Sequence, residues 1–371
     1  MIKQIMAAGL AAVTLAAPDT VAQEHPRIES RAQYYSQLEG LASQPDAASL
    51  AVVVVRRGEP VFMGIWGEAD RETGEAANQN TSFHLASVSK PFVAIAVLQL
   101  VEQGLLELDQ PVADWLPELA PRGAGAERMT IRHLLQHSSG LPDVEDYNWA
   151  SNDGSADAAE RYLAELAGVE LIGVPGERSV YSNMGYDLLG VIISRASGQA
   201  FEHYMRDHVL RPAGMQTASF LRADIAPDRE ARGHVFDDGR VAPVHPYNRR
   251  HAPSSTLQAS AVDMASLLGV ATARRNSFQP LLSRESLAEM WTMDTLTQDG
   301  QEMALGWFAS PYRGHRRFSH TGGDFGFAAY LAVFPDDQVG IALMTNSPMA
   351  MPTQEILLTA VSGAFDLYIG E

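Results

Sequence analysis

The chain of 371 residues contains no cysteine. That excludes a disulfide framework, a thiolate zinc site, a thiol nucleophile and a lipidated cysteine behind a leader. Lysine is almost missing too: Lys3 and Lys90 are the only two, and arginine supplies the remaining positive side chains. Positive charge is outnumbered overall, with 27 Lys+Arg against 45 Asp+Glu and a formal net charge of -18. Such a balance disfavours nucleic acid and anionic membrane surfaces as partners. The acidic stretches Asp143 to Asp146 and Asp153 to Asp157 read as solvated loop faces. No apolar run has the length a membrane-spanning helix needs.

Residues 1–22 read as a secretory signal. Lys3 supplies the positive start, Ile5 to Ala17 form a short alanine-rich apolar core, and Thr20-Val21-Ala22 offers small residues before a cut at Gln23. Residues 23–371 then form the exported protein, periplasmic or secreted in a bacterium.

The two ends of that region carry the strand signals. Leu50 to Val55 is β-branched and apolar, Arg56 to Glu59 turns, and Pro60 to Trp66 returns. Near the other end, Gly326 to Phe334 and Val339 to Asn346 flank the turn Pro335 to Gln338, and Thr353 to Leu367 has helical periodicity. The middle is mostly helical, with start and stop signals such as Thr130 before Ile131 and Ser197-Gly198 after Tyr186 to Ala196. The pattern predicts an α+β fold: an antiparallel sheet built from both chain ends, flanked by helices, with a large inserted helical subdomain. The sheet part covers about 28–80 and 300–371 and the helical part about 81–300, in a single domain. A cleft is expected at the seam. The proline-rich stretch 241–256 reads as a surface excursion.

Lys90 is the informative residue. Arginine stays protonated at any usable pH, whereas a desolvated lysine can release its proton. A chain that writes its cations as arginine and keeps one lysine in its body points to a titratable amine there. Lys90 closes Ser87-Val88-Ser89-Lys90 at the head of the apolar run Pro91 to Leu98. On a helix, i and i+3 share a face, so the Ser87 hydroxyl and the Lys90 amine fall side by side. A serine nucleophile needs a base, an oxyanion hole and a proton path to the leaving group. Lys90 can be the base if neutral, or can hold a phenolate if charged.

Two further elements are weak alone. Tyr181-Ser182-Asn183 follows Pro175-Gly176-Glu177 and leads into the helix from Tyr186. A tyrosine beside an amine can have a lowered pKa and relay protons. His320-Thr321-Gly322-Gly323 precedes the C-terminal hairpin, and its small residues let a substrate lie along a strand edge.

Together and in this order, the three elements resemble the serine β-lactamase-like superfamily. The similarity lies with its branch of class C β-lactamases, D-alanyl-D-alanine carboxypeptidases and related esterases. It runs from about Val52 to Leu343 and takes in Leu134 to Leu141, Pro175-Gly176-Glu177, Leu189-Gly190 and Pro212 to Met215. The resemblance implies that Ser87 is acylated and that Lys90 and Tyr181 form its base and proton relay. It implies that Asn183 holds the substrate amide, and that His320, Thr321 and Gly322 lie near a substrate carboxylate. The backbone N–H groups of Ser87 and Gly323 would form the oxyanion hole. The expected partner is a small-molecule or peptide substrate, with no cofactor and no metal. One departure is His320, where class C β-lactamases carry lysine; a histidine of pKa about 6.5 anchors a carboxylate less firmly at neutral pH. Lactam hydrolysis is therefore the least favoured of the three activities, and binding of carboxylate substrates is expected to tighten as pH falls through that range. A second departure is Pro253-Ser254-Ser255, where relatives often carry paired glycines.

Competing motifs are poor. There is no Gly-x-Ser-x-Gly elbow. His133 and His137 have zinc spacing but lack the adjacent glutamate and a third ligand, so packing or capping is the expected role. Gly123-Ala124-Gly125 follows a proline-rich loop rather than a strand. A non-catalytic muropeptide- or β-lactam-binding protein of the same fold is the remaining alternative, and the intact Ser87, Lys90 and Tyr181 set counts against it.

Overall fold

A computed structural model describes residues 27–45, 47–235, 240–274, 278–297, 300–348 and 351–369. The leader expected over residues 1–22 lies outside them. The first described elements are helix α1 (Arg31–Ala42) and the hairpin β1 (Ser49–Arg56) and β2 (Glu59–Asp70), followed by β3 (Glu75–Ala76) and β4 (Phe83–His84). The helices α2 (Ser89–Glu102), α3 (Ile131–Leu135), α4 (Ala158–Glu165), α5 (Asn183–Ser197), α6 (Phe201–Tyr204) and α7 (Ala252–Ser255) come next. After β5 (Gln258–Ala259), α8 (Ala261–Thr272) and α9 (Arg284–Met290), the chain returns to strands. These are β6 (Thr295–Leu296), β7 (Glu302–Ala304), β8 (Trp307–Ala309), β9 (Phe318–Asp324), β10 (Phe327–Phe334) and β11 (Val339–Thr345), and α10 (Met351–Tyr368) follows.

Among the described residues, nine strands form one sheet in the order β3-β2-β1-β11-β10-β9-β8-β7-β6, and each paired neighbour is antiparallel. The α+β architecture expected from the sequence is the one observed. β1 sits between the two chain ends, with Val53 opposite Met63 of β2 and Ala342 of β11. Its unbroken apolar sequence is required because both faces are covered. Ala51, Val53 and Val55 enter the core shared with α2, whereas Leu50, Val52 and Val54 enter a second core under α1 and α10. Each fully buried valine or leucine contributes about 1.5–3 kcal/mol. No helix among the described residues is long and apolar enough to cross a membrane.

Helix α2 is buried from Ser89 through Leu100, as a helix apolar all round must be. Helix α5 begins at the cap Ser182, whose hydroxyl accepts the Gly185 N–H at 3.3 Å. Between them lies α7, within the stretch expected to be a surface excursion. That expectation fails for residues 248–256: Asn248, His251, Ser254 and Thr256 are buried. Proline and serine there form a short helical plug, not a solvated loop. Gly190 makes the fit possible, since a Cβ on it would stand 2.1 Å from Cγ of Pro253. The buried pair His251 Nδ1 and Asp187 Oδ2, 2.7 Å apart, ties the start of α7 to α5.

Candidate active site

Ser87 lies in a single 3-10 turn, Ala86–Val88, that runs directly into α2. Ala86, the residue before it, has φ of +49°. A non-glycine residue in the left-handed region is held there only by its surroundings. Here the chain on either side is fixed, with Leu85 N–H donating to the Leu257 carbonyl at 2.8 Å and Leu257 N–H to the Ser89 hydroxyl at 3.1 Å. The turn leaves Ser87 partly open while Lys90 beneath it is fully buried.

The expected pairing of serine and amine is present. Nζ of Lys90 is 2.9 Å from the Ser87 hydroxyl oxygen, 2.6 Å from Oδ1 of Asn183 and 2.8 Å from the Ser254 carbonyl. Burial drives the amine down from 10.5 to about 7, against the opposing pull of the Asp143, Asp187 and Asp324 carboxylates. Asn183 is held in turn by Asp143, which accepts its backbone N–H at 2.8 Å and its side-chain N–H at 3.0 Å. Both ends of the Asn183 carboxamide are thus engaged inside the protein. Asp143, which the sequence suggested was a solvated loop face, is half-buried and is the anchor of that asparagine.

Tyr181 comes to the same place and hydrogen-bonds Ser87. The lowered tyrosine pKa expected from its neighbouring amine is not found. Burial raises Tyr181 well above its ordinary value and outweighs its hydrogen bond with Ser87. The buried phenol keeps its proton, and the lysine is the group that loses one. The ring stacks on His137 at 4.1 Å and lies 6.3 Å from Phe308 in a parallel arrangement. His137 has φ of +55° and its Nδ1 accepts the Ser182 N–H at 3.1 Å. His133, its zinc-spaced companion, closes a capping box on Thr130.

The C-terminal element supplies one wall. β9 pairs with β10 along its length but with β8 only through Ser319 and Phe318. Beyond Ser319 its other edge is therefore open. Along β9, side chains alternate, so His320, Gly322 and Asp324 share the face toward α2. Gly322 is the contact point: a Cβ there would lie 2.1 Å from the Leu85 carbonyl oxygen and 3.2 Å from the Ser87 nitrogen. Thr321 belongs to the opposite face and is half-buried, and Gly323 is exposed at the edge.

His320 is buried under Tyr181 and Phe308, with ring centroids 6.3 and 5.2 Å away. Its Nδ1–H donates to the Thr321 carbonyl at 2.6 Å. Burial first, and then Lys90, lower its pKa to about 3. The expectation that it gains charge near pH 6.5 is thereby overturned. It is a neutral spacer where lysine would have been a cation.

Three contributors had no motif in the sequence. Asp143 follows Leu134 to Leu141 but had no chemical pattern of its own. The Ser254 contact uses a backbone carbonyl, which any residue type provides. Asp324 was the most accessible to inference, because it directly follows His320-Thr321-Gly322-Gly323. Its Oδ2 accepts His84 Nε2–H at 2.9 Å and the Ser255 hydroxyl. Among the described residues no group of histidines and carboxylates is arranged to hold a metal ion.

Comparison with known proteins identifies the family. The chain is 37% identical over 214 residues to Esterase EstB of Burkholderia gladioli, spanning 52% of this chain and 51% of that protein. It is 33% identical over 192 residues to a penicillin-binding protein of Bacillus subtilis, spanning 50% of this chain and 42% of the relative. The chain thus spans about half the length of the curated relatives it matches. Among solved structures, the octameric penicillin-binding protein homologue from Pyrococcus abyssi superposes with a TM-score of 0.79 and 25% identity, over 90% of this chain and 77% of that one. The family model described as Beta-lactamase matches residues 28–361, a range that holds every side chain placed around Ser87, and the chain belongs to that family.

Proposed function

We propose that this chain is a serine hydrolase that forms an acyl-enzyme on Ser87 and acts on a small ester or a D-Ala-D-Ala-type peptide, with the ester the better fit. The observation that carries this reading is the environment of Lys90. A neutral amine has two N–H groups and one lone pair. The Asn183 and Ser254 oxygens, 2.6 and 2.8 Å away, are carbonyls that can only accept. They take the two N–H groups, which leaves the lone pair for the Ser87 hydroxyl at 2.9 Å. With a pKa of about 7, the amine is near the value at which a general base works best at neutral pH.

In the first step the Ser87 proton passes to Lys90 as Oγ bonds to the substrate carbonyl carbon. The N–H groups of Ser87 and Gly323 are assigned to the resulting oxyanion. Collapse breaks the bond to the leaving group, which takes a proton from Tyr181, and the phenol is restored by the proton held on Lys90. Water then repeats the sequence on the acyl-enzyme and releases the acid. The esterase and penicillin-binding names of the relatives support both substrate classes.

The preference for esters rests on His320. A neutral imidazole gives no Coulomb attraction to a peptide or lactam carboxylate. Lactam hydrolysis is the weaker alternative for the same reason.

The test is intact-mass spectrometry after treatment with a fluorophosphonate. One adduct on the peptide containing Ser87, absent in Ser87→Ala, is expected. Labelling of another residue, or full hydrolysis by Ser87→Ala, would overturn the assignment.

A further inference from the structure

The charged groups gathered around the site are unusual in sign. The side chains whose fields act on Lys90 as charges are the carboxylates Asp143, Asp187 and Asp324, and Asp143 and Asp324 also act on Tyr181, together with the Tyr186 phenol. Two of the carboxylates have their charge absorbed by the fold. Asp187 is fully buried against His251. Asp143 accepts the Val144 N–H and both N–H types of Asn183.

Asp324 differs. It is on the β9 face that includes Gly322, and Gly322 abuts the Ser87 nitrogen. Two residues of strand separate them, about 7 Å. His84, three residues before Ser87, and Ser255, next to the Ser254 that holds Lys90, both bind Oδ2 of Asp324. They lock the side chain in place, with only 9% of it exposed. Oδ1 has no hydrogen-bond partner among the described residues, yet it is not sealed from solvent. A rigid carboxylate with one open oxygen, nine-tenths buried beside a nucleophile, is built to receive a donor. Desolvation makes a cationic donor the favoured one.

We propose that Asp324 is a substrate-binding residue that recognises an ammonium group on the acyl portion of the substrate, so that the preferred substrates are amino-acyl esters or amides. This rests on the reading of Ser87 as the acylated nucleophile. The distance along β9 puts the ammonium a few bonds from the scissile carbonyl, as in an α- or β-amino acid derivative. His320, on the same strand face, is neutral and offers no competing site for an anion. An acidic cleft also suits a chain of net charge -18, which attracts cationic and repels anionic solutes.

Three methyl esters of matching size test the idea: methyl β-alaninate, methyl butyrate and monomethyl succinate. They place an ammonium, a methyl and a carboxylate at equivalent positions and can be followed by titrating the released acid at pH 7. The expected order of kcat/KM is β-alaninate, butyrate, succinate. The first step should be about tenfold, as for one charge-assisted hydrogen bond. Asp324→Asn keeps an oxygen for His84 and Ser255 but removes the charge, and should bring the first ratio close to one. Equal rates for the three esters in the wild-type protein, or an unchanged ratio in Asp324→Asn, would overturn the proposal and leave Asp324 as a strut between His84 and Ser255. If the esters are not turned over but Ser87 is labelled by a fluorophosphonate, protection against labelling gives the same ranking, and equal protection overturns the proposal. Absence of both turnover and Ser87 labelling would instead overturn the acyl-enzyme reading on which it depends.

Discussion

The substitution Lys90→Arg separates a titrating base from a fixed cation. Burial takes Lys90 from 10.5 to about 7, roughly 5 kcal/mol of preference for the neutral amine. An unperturbed lysine would be neutral in roughly one molecule in three thousand at pH 7, whereas this one is neutral in about half. Activity that needs the free amine should therefore rise tenfold per pH step below 7 and level off above about 8. His137 and His320 are both lowered by burial and by Lys90, and Tyr181 is raised, so none of the three gives a step in that window. Arginine keeps its proton throughout. Lys90→Arg should lose about 10²–10⁴-fold in kcat/KM, close to the loss in Lys90→Ala. The assay is ester hydrolysis from pH 5 to 9 for the wild type and both variants, with His84→Gln as a check on the neighbouring imidazole. Retention of a tenth or more of the rate by Lys90→Arg would refute the reasoning. So would a flat wild-type profile, or a midpoint that vanishes in His84→Gln. The same shift acts on folding. Between pH 7 and 10.5 the unfolded chain holds a proton that the folded chain has released, so this residue makes stability rise with pH across that window. In Lys90→Met that contribution should disappear from denaturant titrations.

Replacing His320 by lysine puts a second buried amine next to Lys90; like charges disfavour each other, so the acid limb of the activity profile should move below pH 7. An unchanged limb would show that the two side chains do not sense each other. Gly322→Ala would drive a Cβ into the Leu85 carbonyl, 2.1 Å away, and displace the turn that sets Ser87; a shift of that kind costs about 10²-fold in kcat, read by steady-state kinetics. Asp187→Ala leaves Nδ1 of the fully buried His251 without its partner and should destabilise the protein by about 1–3 kcal/mol, measured by urea unfolding at pH 7. A change under 1 kcal/mol would mean that α7 is held by packing on Gly190 alone.

Much of this architecture follows from local pattern. A β-branched run such as Leu50 to Val55 has few other uses than a strand covered on both faces, and the tight hairpins at both ends fix antiparallel neighbours. Ser87 and Lys90 were legible for the same reason: three residues apart at the head of an apolar helix is a local geometry, and the scarcity of lysine marked the amine. Their spacing alone brings them together, although the turn that carries Ser87 is held by Leu257 and packed on Gly322.

What the residue types could not decide was electrostatic state. Tyr181 was expected to be acidified and His320 to titrate near neutrality, because each was considered beside its charged neighbour alone. The tertiary structure buries both, and loss of water outweighs the neighbouring charge. The anchors of Lys90 were hidden for a related reason. Asn183 and Ser254 lie 93 and 164 residues from it, and one of the two contributes only a backbone carbonyl. Residues 248–256 look like loop by composition and are core by position, since whether a proline-serine turn faces water depends on Gly190 leaving room for it. Sequence determines what is written within a few residues, namely strand, helix and the serine–lysine pair. Burial is a property of the assembled chain, and it is the largest influence on which of these groups carries a proton.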